Sequence, residues 1–500
     1  MAHDYDVVVV GGGPVGITSL ALLGAAGLRA ICIEREQGVW ATARAVHFDG
    51  ETVRTLQALG IADAAMAYFQ PMRNYRMENE AGETLMAFPT GTFGAQAWSE
   101  DVMFHQPDIE ALLRECLERF PSVSLTCGTT FAGLEQGTDG VRCTVSHSDG
   151  STEVITSRWV IAADGGTSPV RHLLGVETEK LGTDDPWLVV DGLLHDGPGM
   201  DGDMIFLGHH TRPALWVNLP GERCRMEFKV MPGDDVEEIA TPAGVERLSR
   251  GVLPTDRFEP DRMAVYTFRA RVAQRWRIGS VFLAGDAAHQ APPLFGQGLC
   301  AGMRDAANLT WKLALVANGK ADDSLLDTYE SERRPHARFW VEQAATMAAL
   351  VQTTDAATAA GRDAHIRANP QDSAPTQPTL GPGLHTGASE QHAGELSLQP
   401  MYDGEHRLDD EVGVRFLVAT TDEVQSALSS RARAAIEADH DTVVVTDPMK
   451  VAALLEAYEA QAVVVRPDRY VLGTAASAEQ LERLLELVPP LSSALTTQPA

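Results

Sequence analysis

Three glycines in the pattern Gly11-x-Gly13-x-x-Gly16 stand directly after a β-branched run, Tyr5 to Val10, and open a stretch of small and aliphatic residues, Ile17 to Ala26. Strand, tight turn and helix in that order make a cradle for a pyrophosphate. Glycine lets the backbone approach the phosphates, and the helix N-terminus meets their charge. Pro14 lies inside the same turn. Roughly twenty residues on, at the end of the hydrophobic run Ala30 to Glu34, the Glu34 carboxylate can accept hydrogen bonds from a ribose, with Arg35 beside it. This is the chemistry of a bound dinucleotide, and the turn alone does not distinguish FAD from NAD.

Two later segments each end a hydrophobic strand in an acidic residue beside glycine: Trp159 to Asp164 followed by Gly165-Gly166, and Val281 to Gly285 followed by Asp286. The loop after the second, Ala291-Pro292-Pro293-Leu294-Phe295-Gly296-Gln297-Gly298, joins rigid prolines to small glycines. A planar ring can approach such a backbone closely. The helix that follows, beginning near Leu299, directs its positive end at any anion held there.

Taken in order, these three segments resemble the motifs of the class A flavoprotein aromatic hydroxylases, the family of para-hydroxybenzoate hydroxylase and phenol hydroxylase. The resemblance extends through Arg304-Asp305-Ala306-Ala307-Asn308-Leu309 and Tyr329 to Pro335, and covers about residues 5 to 350. It implies FAD as the cofactor and NAD(P)H as co-substrate. Asp164 would lie near the pyrophosphate and the nicotinamide route, and Asp286 would bind the ribityl chain. Pro293, Gly296, Gly298 and Leu299 would face the flavin ring, while Arg44 and Gln106 take the places of FAD-contacting family residues. Within the family, Arg44 to Glu51 and Pro292 to Leu313 look closest to 3-(3-hydroxyphenyl)propionate hydroxylases.

The activity so implied consumes O2 and hydroxylates a phenolic ring through a flavin C4a-hydroperoxide. Hydroxylation of an aromatic polyketide or other larger ring is an alternative, as is FAD binding without hydroxylation. A second Gly-x-Gly-x-x-Gly opening a helix is absent, which argues against a dedicated nicotinamide domain. A phenol with a pKa of about 10 must shed its proton to become electron-rich. The resemblance puts the base at Asp49, in the position of the phenol hydroxylase aspartate, with His47 as second candidate. Asp49 could instead cap a helix starting near Gly50. Pro293 completes the catalytic set.

Periodicity supplies the elements that must hold these residues. The first thirty-odd residues read as a βαβ unit, Gln106 to Phe120 as an amphipathic helix, and Val123 to Ala163 as alternating strands. Leu181 to Ala270 reads as mostly sheet, with a helix near Pro242 to Arg250. Long helices follow at Ala301 to Ala317 and Ser324 to Val351. Thr353 to Pro400 lacks periodicity and reads as a linker or wrapping segment. A compact α/β unit ends the chain, with strands at Val412 to Ala419, Thr442 to Thr446 and Gln461 to Arg466, and helices near Thr421 to Glu437, Pro448 to Tyr458 and Ala478 to Leu487. The expected fold class is therefore α/β. The resemblance implies that a Rossmann-like FAD-binding domain (1–75, 100–180, 270–350) carries a β-sheet substrate domain (76–99, 181–269) and a linker (351–400), and that the final unit (401–500) is similar to the thioredoxin-like C-terminal domain of longer family members.

Composition excludes several other classes. Among 500 residues, 40 basic against 69 acidic give a net charge of −29, and no Lys/Arg-rich run offers a face to nucleic acid. No run of about 18 apolar residues suggests a membrane span, and Asp4 and Asp6 precede the first apolar stretch where a signal peptide would be positive. A cytoplasmic protein is expected. Six cysteines without metal or disulfide spacing predict no metal site, and none lies beyond Cys300. The C-terminal unit is thus expected to lack redox chemistry and to serve packing or assembly, a homodimer included.

Overall fold

The computed structural model describes residues 3–39, 44–90, 93–195, 200, 203–250, 257–370, 377–389 and 391–496. Its central sheet runs Arg277–Ile278, Val281–Leu283, Thr152–Ala162, Tyr5–Val10, Ala30–Ile33, Val123–Thr126. The five strands from Val281–Leu283 to Val123–Thr126 pair in parallel, and the three glycine- or acid-ended strands lie side by side, so their carboxyl ends converge on one edge. Val7 to Val10 and Ala30 to Ile33 are apolar without alternation because both faces of these strands are buried. One covering pair is Pro14–Ala25 and Gln297–Ala317.

The second sheet has the order Phe258–Phe268, Asp185–Leu194, Arg223–Lys229, Ala214–Asn218, Met204–Leu207, Asn74–Glu78, Thr84–Pro89. It is antiparallel except where Met204–Leu207 meets Asn74–Glu78. Alternation divides its side chains cleanly. Leu188, Val190, Ile205, Trp216, Met226 and Phe228 face the helix Pro242–Ser249. Trp187, Met204, Phe206, Leu215 and Val217 pack with Leu294 of the glycine-proline loop, so this sheet roofs the edge where the first sheet's strands end.

From Phe416 the last unit follows the order strand, two helices, strand, helix, two strands, two helices. Phe416–Thr420 pairs in parallel with Thr442–Val445 and antiparallel with Ala462–Val465, which pairs with Val471–Ala475. That is a thioredoxin-like topology without cysteine.

Three expectations need correction. The segment after Thr353 contains a helix, Ala356–Ala368, because an alanine-rich run has high intrinsic propensity and Asp355 accepts from the Thr358 amide at 2.7 Å. The helix expected at Ala301 begins at Gln297, where Gly296 at φ 64° releases the chain from the loop. The helix expected over Thr421 to Glu437 is two, Asp422–Ala427 and Ser430–Ala438, since Ser429 turns out to cap the second.

Candidate active site

Three cavities line the seam between the two sheets. The first, about 210 Å³, is bounded by Gly11, Gly13, Pro14, Glu34, Arg35, Arg44, Gln106 and Asp164. Glu34 accepts from the Gly12 amide at 2.6 Å and from the Glu36 amide at 2.8 Å, which fixes its carboxylate at the end of its strand. The glycines divide into two kinds. A Cβ on Gly16 would stand 1.8 Å from the Gly11 carbonyl oxygen, so Gly16 serves helix packing and lines no cavity. A Cβ on Gly13 would meet nothing within 4 Å, so the protein itself does not require glycine there. Only something occupying the cleft would. Asp164 adds an orphan: Oδ2 accepts from the Val170 amide at 3.0 Å, while Oδ1 is buried without a partner. Burial lifts this carboxyl above the usual range, and a ligand donor at Oδ1 would lower it again.

Gln106 acts mainly on the chain. Its Oε1 accepts from the amides of Arg44 and Ala45 at 2.8 and 2.7 Å, and its Nε2 donates to Glu110 at 2.6 Å. This clamps Arg44 between the first cavity and the second, which it also lines. The second cavity, about 240 Å³, collects Asp286, Pro293, Gly296, Gly298 and Leu299 against Met204, Leu215, Val217 and Glu227 of the roof. Asp286 is open to the cavity and has no hydrogen bond among the described residues; enclosure by protein raises its carboxyl. Gly298, like Gly13, has open space where a Cβ would go. A flat cleft with two unneeded glycines, an orphan carboxylate at each end and a helix N-terminus at its floor fits an elongated dinucleotide carrying a planar ring.

The third cavity, about 550 Å³, adjoins the second at Met204 and the 294–297 loop. Met72, Tyr75, Phe88, Trp98, Leu294, Phe295 and Trp340 line it with His47, Asp49, Glu51, Glu100 and Asp101. Its two expected bases are both engaged. Asp49 caps the helix Gly50–Ala58, with Oδ1 accepting from the Thr52 amide at 2.9 Å and hydroxyl at 2.8 Å, and Oδ2 pairs with Arg304. Burial alone would raise its carboxyl; Arg304 and the Thr52 bonds outweigh burial and hold it below the ordinary value. His47 Nε2 sits 2.6 Å from Asp101 Oδ1. Burial would lower this imidazole, but the Asp101 bond and charge prevail and hold it well above its usual value, and Nε2 is committed to Asp101.

The expectation that Asp49 withdraws a phenolic proton therefore yields to its capping and ion-pair role. Asp49→Asn keeps an oxygen for the Thr52 amide and leaves Arg304 its bonds to Glu51 and Gln297 at 2.5 and 2.9 Å. The expected loss of stability is thus roughly 2 kcal/mol, below the 3 to 5 of a fully unpaired buried charge, with the pH profile of turnover unchanged. A displaced pH profile with an unaltered melting temperature would return the base to Asp49.

Sequence reading missed Asp101, Arg114 and Glu227. Arg114 lines the dinucleotide cavity from the helix Gln106–Cys116. Asp101 belongs to no motif, and only the pairing of His47–Asp49 with Asp101–Phe104 brings it to His47.

Residues 4–344 match the family described as FAD binding domain. The chain belongs to the family of FAD-binding aromatic hydroxylases. Residues 399–488 match the family described as HcaD C-terminal domain. Among named relatives, the 3-(3-hydroxy-phenyl)propionate/3-hydroxycinnamic acid hydroxylase of Escherichia coli O8 (strain IAI1) is 37% identical over 69% of the chain, and the match spans 62% of that relative's length. The "Probable NADH-specific resorcinol 4-hydroxylase" of Rhodococcus jostii (strain RHA1) is 33% identical over 99% of the chain and 97% of its own. The fold of the chain is shared with the flavin-dependent monooxygenase PieE, solved with FAD and substrate (TM-score 0.82, 23% identity, 99% of this chain and 100% of that one). It is shared also with aklavinone-11 hydroxylase (TM-score 0.78, 23% identity, 98% and 99%). Among the described residues no helix is long and apolar enough to cross a membrane, and no cluster of His, Cys, Asp and Glu could hold a metal ion.

Proposed function

We propose that this protein uses FAD, NAD(P)H and O2 to hydroxylate an uncharged phenol, a resorcinol-like ring being the best fit. One observation carries the choice: no lysine or arginine lines the 550 Å³ cavity among the described residues, whereas four carboxylates do, those of Asp49, Glu51, Glu100 and Asp101. Arg304 and His47 offset only part of that charge. The segments outside the described residues contain no lysine or arginine to add. An aromatic carboxylate such as 3-(3-hydroxyphenyl)propionate would enter a field of its own sign, whereas a neutral ring keeps the apolar contacts of Met72, Tyr75, Phe88 and Trp98. The propionate-like substrate suggested by sequence resemblance is therefore set aside.

Bound FAD would supply reduction by NAD(P)H and delivery of one atom of O2. The first cavity's residues would hold its adenosine and pyrophosphate: Glu34 at the ribose, and the Gly11 to Gly13 amides with Asp164 at the phosphates. Asp286 would meet the ribityl chain. Leu294 and the roof residues Met204 and Leu215 exclude water from the space beside the flavin ring. The test is a panel of phenols scored by stimulated NAD(P)H oxidation and by a product mass one oxygen heavier. Resorcinol and simple phenols are expected to exceed 3-(3-hydroxyphenyl)propionate at least tenfold in kcat/KM, about 1.4 kcal/mol. Equal or better turnover of the carboxylate would overturn the assignment of charge class.

A further inference from the structure

With Asp49 and His47 both engaged, the ring pocket needs another proton acceptor. Glu227 lies on the strand Arg223–Lys229, opposite Leu215 in the register, and lines the second cavity together with Pro293, Gly296 and Gly298. It is 2% exposed, and its Oε2 has no hydrogen-bond partner. Arg225, two residues back on the same face, approaches Oε1 only to 3.9 Å, beyond hydrogen-bond reach. That guanidinium is committed to Asp191 at 2.7 and 3.1 Å and to the Arg44 carbonyl at 2.8 Å. A buried carboxylate with a free oxygen is costly unless something completes it. Glu227 faces the flavin cavity, which meets the 550 Å³ cavity at Met204, and there a ligand hydroxyl can.

We propose that Glu227 is a catalytic residue whose free oxygen accepts the hydrogen bond of a substrate hydroxyl and takes its proton. The phenolic O–H bond breaks, a carboxylic O–H bond forms, and the electron pair stays on the phenol oxygen, which enriches the ring without any redox change. Charged groups around Glu227 come from five segments. They are Arg225 on its own strand, Asp191 and Arg262 on the two strands beyond, and Arg44 and Asp286 across the cavity. Burial drives the Glu227 carboxyl up and Arg225 opposes it, which leaves it titrating at about 7. A group so placed can both take and return a proton at neutral pH. This rests on the reading of the pocket as a phenol site.

The probe is 4-nitrophenol bound to the FAD holoprotein, whose ionisation is followed as difference absorbance against the holoprotein alone, beside Glu227→Gln. The glutamine variant keeps size and hydrogen-bonding atoms but cannot take the proton. It is expected to bind FAD and 4-nitrophenol, with the ligand's ionisation midpoint displaced by about one pH unit or more. An unchanged midpoint with binding retained would sink the role of Glu227 and leave the phenol site standing. Failure of the wild-type holoprotein to bind any phenol would overturn both readings. Should Glu227→Gln not fold, infrared difference spectra of the wild type decide instead. A carboxylic-acid carbonyl band that titrates near neutrality and shifts when 4-nitrophenol binds supports the proposal, and a band indifferent to the phenol refutes it.

Discussion

Gly13→Val is expected to give a folded protein that has lost at least about 100-fold in FAD affinity, roughly 2.7 kcal/mol. Position 13 is the N-cap of Pro14–Ala25, at φ −74° and ψ −179°, a conformation any residue adopts. A Cβ there touches no protein atom within 4 Å, so the fold leaves room for the first side-chain atom. Its methyl groups would occupy the approach to the backbone amides that a pyrophosphate must reach. Gly16→Ala makes the contrast: its Cβ would lie 1.8 Å from the Gly11 carbonyl, and that variant should lose stability along with binding. Flavin fluorescence quenching measures affinity, and circular dichroism melts measure folding. Wild-type affinity in Gly13→Val would mean that the cleft does not hold the phosphates, and the dinucleotide site would have to be sought elsewhere.

That division between two kinds of glycine marks how far sequence could reach. The turn Gly11 to Gly16, Glu34, Asp164 and Asp286 were legible because each sits at a strand end, where local order alone places it in the cleft. Pairing partners are different. Asp101 meets His47 across strands 54 residues apart in sequence, and Arg304 reaches Asp49 over a separation of 255. Both contacts engage the residues that the sequence put forward as bases, and neither contact follows from local order. The alternation Arg223, Arg225, Glu227 against Cys224, Met226, Phe228 was visible as an amphipathic strand. A charged face ordinarily points to water, and here it points into the cavity because the seven-stranded sheet is covered on both sides. No local pattern reports that. The helix Ala356–Ala368 was missed for the opposite reason: intrinsic propensity and a cap made it, with little amphipathic signal to read.

Glu332→Gln is expected to lower unfolding stability by about 3 to 5 kcal/mol. Glu332 is fully buried and accepts from Lys312 at 2.6 Å, from Arg466 at 2.7 and 2.8 Å, and from Asn308 at 3.0 Å. Asp468 completes the cluster through Arg466 and Asn308. These bonds join the long helices Gln297–Ala317 and Asp327–Val351 to the thioredoxin-like unit, and a second buried pair, Arg54 with Asp409 at 2.6 Å, joins it again. Burial would raise the Glu332 carboxyl, but Arg466 and Lys312 outweigh burial and hold it far below the usual range. Because the folded value lies below the unfolded one, this contribution is complete at neutral pH and is lost only as acid carries the solution down through the folded value. Glutamine keeps the shape and removes the charge, leaving Lys312 and Arg466 with Asp468 alone. Burial already brings the Lys312 ammonium down to about 8 against the pull of Glu332, and without that pull it sheds its proton rather than remain buried and charged. The double variant Glu332→Gln with Lys312→Met removes both partners and should recover at least half of the loss, a coupling that a denaturant double-mutant cycle reads directly. If the single variant unfolds at the wild-type midpoint, the cluster is not what fastens the C-terminal unit to the flavin domain. If it unfolds early in two separate transitions, the cysteine-free domain is shown to be held in place by these charges and to owe its retention to assembly rather than to redox chemistry.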